Sequence, residues 1–151
     1  MIKKILFLMA FIVIVGCTRN EFKVEDFLDK ADFNGYIVNK DNEKYKNYSY
    51  INDVYYAFNR EAEYFIQLLV LENDDYARKF FFLNQEEIAK LKDKNSYVKT
   101  KNDEDYNLYH LETDSNYRLV IRIKKNVIYI DAPINYINEI EEFLKELNIE
   151  Y

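Results

Sequence analysis

From Val24 onward the chain moves between two hydrophobic rhythms. Val24, Phe27, Leu28 and Ala31 recur at helical spacing, so a first helix is predicted over 24–34, closed by Gly35 in a left-handed conformation. Tyr36-Ile37-Val38 reads as a short strand, and the polar stretch 39–52 as a loop. Two runs, 54–59 and 62–71, follow as a hairpin joined through Arg60-Glu61. Glu72-Asn73-Asp74-Asp75 is a helix-start signal, and Ala77, Phe80, Phe81, Ile88 and Leu91 carry a second helix to about Lys92. The charged stretch 92–105 reads as a loop and 106–111 as a weaker strand. The clearest hairpin is 117–131. A turn at Lys125-Asn126 sets Arg122 opposite Tyr129 and Val120 opposite Asp131. Leu119, Ile121, Ile123, Ile128 and Ile130 then form its buried face. Pro133 opens a third helix, with Ile134, Ile137, Ile140, Leu144 and Leu147 as its apolar stripe. Neighbouring strands with tight turns pair antiparallel. The expected class is α+β, an antiparallel sheet of about five strands with helices packed mainly on one face.

The first residues obey a different rule. Met1-Ile2-Lys3-Lys4 precedes an unbroken apolar run from Ile5 to Val15, and Gly16-Cys17-Thr18 follows. A short cationic start, eleven apolar residues and a small residue form the tripartite pattern of an export signal. The run is shorter than the roughly 17–25 residues that span a bilayer. Ile14-Val15-Gly16-Cys17 resembles the lipobox of bacterial lipoproteins, with Val15 in place of the commoner alanine or serine. The resemblance covers residues 1–17. It implies cleavage between Gly16 and Cys17, diacylglycerol on the Cys17 sulfur and a palmitate-type acyl chain on the new amino terminus. The organisation is then a signal peptide over 1–16, a lipidated tether over 17–22 and one globular domain over 23–151. Two or three acyl chains anchor stably where one does not, at about 0.8 kcal/mol per buried CH₂. The implied address is the extracytoplasmic face of a cell membrane or outer membrane. Thr18 differs from the aspartate that resembles an inner-membrane retention signal.

Composition narrows the partners. Loss of Lys3 and Lys4 with the signal leaves 19 basic against 27 acidic residues, a formal charge of −8. Such a domain is pushed away from anionic membranes and from nucleic acid. Cys17 is the sole cysteine, so no internal disulfide can form. The mature chain is vaguely similar to small lipoproteins of low-GC bacteria, a likeness of pattern that implies no activity.

Candidate chemistry is sparse. His110 is the sole histidine and lies in a predicted strand, where a structural role is expected. Gly35 is the one glycine left after cleavage, so no glycine-rich phosphate loop can be built. Ser49, Ser96 and Ser115 lack a nucleophile context, and Asp103-Glu104-Asp105 lacks the spacing of a calcium loop. No catalytic, cofactor or metal residue is assigned. Arg118, Arg122 and Tyr129 share the outer face of the last hairpin and suit recognition of an anionic ligand or an envelope protein. The expected function is a non-enzymatic envelope lipoprotein that binds a partner or ligand near the membrane. The alternatives are a carboxylate-based hydrolase of envelope substrates and an inhibitor or immunity-type lipoprotein. In cells fed labelled fatty acid, Cys17→Ser should lose the label and accumulate as uncut precursor; normal processing of that variant would refute the lipobox.

Overall fold

The computed structural model describes residues 22–151. Gly16, Cys17, the signal segment 1–16 and all of the 17–22 tether except Phe22 lie outside the described residues.

The first helix, α1 (Val24–Phe33), buries Phe27 and Ala31 on its stripe. Gly35, at φ +77°, ends it as expected, and the amides of Gly35 and Tyr36 turn back onto the carbonyls of Asp32 and Ala31. The chain then builds β1 (Ile37–Lys40), a loop with a short 3₁₀ turn, β2 (Ile51–Phe58) and β3 (Phe65–Leu71). Asn73 caps α2 (Asp74–Ala89), its side chain accepting the Tyr76 amide at 3.0 Å. β4 (Tyr97–Asn102), β5 (Tyr106–Glu112), β6 (Asn116–Ile123) and β7 (Asn126–Pro133) follow, and α3 (Ile137–Glu146) closes the domain. The sheet runs β1-β2-β3-β7-β6-β5-β4 with every neighbour antiparallel. Two meanders, β1–β3 and β4–β7, therefore meet at the pairing of β3 with β7.

The mixed α+β class and antiparallel pairing are as the pattern predicted. The sheet has seven strands instead of about five. Part of the expected 92–105 loop is β4, whose Lys-Thr-Lys alternation lacks an apolar face because it lies at the sheet edge. The helices also divide between faces. α1 and α3 cover one side, where Phe27, Phe143 and Leu144 meet Ile66, Leu68, Leu119, Ile121, Ile128 and Ile130. α2 covers the other, where Ala77, Phe81 and Ile88 meet Val54, Leu69, Leu71, Tyr109, Leu111, Val120 and Val127. The continuous apolar run Leu68–Leu71 is the trace of that two-sided burial.

The last hairpin also differs in register. Its turn is Lys124-Lys125, with Lys124 at φ 51°, so Ile123 faces Asn126, Arg122 faces Val127 and Val120 faces Tyr129. A slip of two residues leaves each side chain on its expected face, because strand side chains alternate with period two. Pro133 ends β7, and a 3₁₀ turn separates it from α3.

At Gly35 the left-handed backbone coincides with a close approach. An added Cβ would meet the Arg60 guanidinium, the far end of a flexible side chain that can move aside, so the left-handed backbone is the larger cost. Gly35→Ala should lower stability to urea by about 1–2 kcal/mol, and Gly35→Asn by less, since asparagine tolerates that conformation better.

Candidate functional site

The hairpin face expected to bind is divided by α2. Arg122 is 0 % exposed and sits beneath that helix. Its guanidinium donates to Asn107 Oδ1 and to the carbonyls of Lys124 and Glu104. Among the described residues it has no carboxylate in salt-bridge contact, so it serves as a polar tie between the β6–β7 turn and the β4–β5 loop. Arg118 is half-buried and donates from Nε to Asp131 Oδ2 at 3.1 Å. Tyr129 is half-buried on the same face, and it opposes Val120 across the strands, so it is not the partner of Arg122. The three residues do not form one open face. Strand alternation placed them together correctly; it carried no information about the helix that covers them.

The structure assembles a different cluster from three segments far apart in sequence. The turn after α1 supplies Asn34, Gly35 and Tyr36. The β2–β3 loop supplies Asn59, Arg60, Glu61, Glu63 and Tyr64, the 3₁₀ turn before α3 supplies Tyr136, and the first turn of α3 supplies Glu139. Asn59 shapes the loop: its Oδ1 accepts the amides of Glu63 and Tyr64, and Ala62 beside them takes φ 55°. These segments enclose a shallow cavity of about 280 Å³ lined by Tyr36, Arg60, Glu61, Tyr136 and Glu139 among others.

The hydrogen-bond directions in the cluster follow from chemistry. The Glu139 carboxylate only accepts, so the Tyr64 hydroxyl donates to it at 2.7 Å. Tyr64 has then spent its hydrogen, and Tyr36 donates to it, also at 2.7 Å. Tyr136 has one hydrogen for two carboxylates, Glu61 and Glu63, whose Oε2 atoms each lie 2.7 Å from its oxygen. Burial first, then hydrogen bonding to Tyr36 and Glu139, raises the pKa of Tyr64. Burial likewise raises that of Tyr36, and the bonds to Glu61 and Glu63 raise that of Tyr136. All three phenols stay protonated and act as donors. Tyr36 and Tyr136 line the cavity beside the Glu61 and Glu139 carboxylates and the Arg60 guanidinium. Tyr64 lies buried behind them, its ring 5.0 Å from that of Tyr136. Sequence reasoning missed this cluster, because its members fall at element junctions with no shared periodicity.

His110 lies in the core below the other end of the sheet, 3 % exposed, its ring 4.7 Å from that of Tyr117. Glu112 Oε1 is 3.0 Å from Nε2 but off the N–H direction, so the nitrogen has no hydrogen-bond partner. Among the described residues no three His, Cys, Asp or Glu side chains are placed to hold a metal, and no helix is long and apolar enough to cross a membrane. Compared with protein families, curated proteins and solved structures, the chain matches none.

Burial, and then the charge of Lys99, pushes the His110 imidazole down to about 4 from 6.5. A depressed folded-state value favours the neutral ring, so its stabilising effect is complete above about 6.5 and is lost as pH falls toward 4. Between pH 7 and pH 5 the wild type should lose on the order of 1–2 kcal/mol more than His110→Gln in urea unfolding. Equal losses would show that His110 is not desolvated.

Proposed function

We propose that the chain is a lipid-anchored extracytoplasmic binding domain, held at a membrane through Cys17, that recognises a basic side chain of an envelope protein. The observation that carries the binding half of this reading is the cavity between Arg60, Tyr136 and Glu139. Its carboxylates outnumber its single guanidinium, and its tyrosine rings offer the aromatic surface that attracts an ammonium or guanidinium group. Charge-assisted hydrogen bonds to Glu61 and Glu139 would orient such a group. The acidic balance of the chain, 27 acidic against 21 basic residues, would steer a basic partner toward it.

The anchoring half rests on the lipobox. The tether from Cys17 to Phe22 reaches about 20 Å at full extension, so the cavity would operate close to the bilayer.

A lysine-containing peptide should perturb the resonances of Tyr136 and Arg60 saturably. Its Nε-acetylated form should bind at least about tenfold more weakly, as should the unmodified peptide with a Glu61→Gln/Glu139→Gln variant. Equal binding of the acetylated peptide, or indifference to those substitutions, would remove the cavity from the proposal.

A further inference from the structure

α2 lies on the sheet through Ala77, Phe81 and Ile88, which turns its opposite side to solvent. At 100° per residue, Asp75, Lys79, Phe82, Leu83, Glu86 and Lys90 fall within about 50° of one line on that side. All six are exposed. Lys90 belongs to the stripe because, as C-cap, it keeps helical backbone. Phe82 is 42 % and Leu83 63 % exposed at the middle of a stripe that is otherwise charged.

The order of charges along this stripe has a symmetry. Turned end over end about the point between Phe82 and Leu83, the helix brings Asp75 opposite Lys90 and Lys79 opposite Glu86. Phe82 and Leu83, on either side of the axis, then each meet their own copies. Arg78 and Glu87, about 90° to either side of that line, flank the contact and take no part in it. Every charge meets its opposite, and the apolar pair meets itself. A surface that is self-complementary under a two-fold rotation is what an isologous contact between identical chains requires. A different partner would impose no such relation between the two ends of one helix.

We propose that this stripe is a two-fold homodimer interface formed by antiparallel α2 helices. Phe82 and Leu83 pack against their symmetry mates. Lys79 pairs with Glu86 of the second copy, and Asp75 pairs with its Lys90. Existing contacts leave this arrangement open. Arg78 is held by the Glu104 carbonyl and is not needed. Lys90 already meets Glu87 at 2.5 Å and can bridge to a second carboxylate. Lys79 lies 5.6 Å over the Tyr76 ring with its ammonium exposed at the helix surface. Antiparallel helices also set opposed dipoles side by side. One helix pair is a small contact, so the dimer is a weak and reversible one. The interface lies on the face of the sheet away from the tyrosine–carboxylate cavity, and it depends on neither the cavity nor the anchor.

Sedimentation equilibrium of the full chain in mild detergent tests the proposal. The wild type should dimerise reversibly, and more weakly as salt is raised. Lys79→Glu or Glu86→Lys alone places like charges together twice per dimer and should raise the Kd about tenfold or more. The double variant Lys79→Glu/Glu86→Lys exchanges the charges and should return to within about threefold of wild type. Circular dichroism checks that each variant keeps its helices. A chain that stays monomeric throughout, a dimer indifferent to the single reversals, or a double variant as weak as the singles would each overturn the proposal. In a Cys17→Ser background, which leaves one thiol per chain, Leu83→Cys supplies an independent readout. Oxidation should link it to its own symmetry mate, while Glu25→Cys on α1 should stay unlinked; the reverse pattern places the contact elsewhere.

Discussion

Strands β3 and β7 lie at the middle of the sheet with both faces covered, and their pairing is where two separate meanders become one structure. Ile66 faces Ile130, and Leu68 faces Ile128, on the side beneath α1 and α3. Leu69 and Val127 pair on the side beneath α2. The two partners stand far apart along the chain, so bringing them together costs loop-closure entropy before any contact offsets it. What offsets it is apolar burial on both sides at once, about 25 cal/mol for each Å² removed from water. Neither meander has this alone. A β3 without β7 would present an apolar strand with an unpaired edge, so the two halves are expected to order together.

Much of this was readable from local pattern because local pattern is sufficient for it. Helical spacing placed α1, and the requirement for a left-handed residue placed Gly35 at its end. Strict alternation gave the inward face of the last hairpin, and a two-residue slip at the Lys124-Lys125 turn left that face intact. β4 was missed since an edge strand needs no apolar side of its own. The division of helices between the two faces had one trace, the run Leu68–Leu71, which a one-sided sheet does not need.

The site was less legible, and Arg122 shows why. An arginine alternating with apolar residues reads as solvent-facing unless something is known of what lies above it. Here α2 lies above it, and carbonyls and an amide replace water around the cation. The cavity beside α3 is harder still. Tyr36, Glu61, Tyr136 and Glu139 come together through the turn at Gly35 and the loop at Asn59, and nothing local to any one of them announces the other three. The lipidation proposed at Cys17 is the opposite case in kind, because a lipobox is written in consecutive residues and needs no fold to be read.

The two ends of the sheet have a consequence for crowding. β1 is four residues long, and β4 carries Lys99 and Lys101. A short strand offers few amides to a newcomer, and lysines along an edge meet lysines on any identical strand brought beside it. Growth by strand addition has no natural stopping point, whereas a contact through helices closes once its symmetry is satisfied. The chain can therefore be concentrated without seeding a fibril, because the direction in which a sheet would propagate is the direction in which this one is blunted.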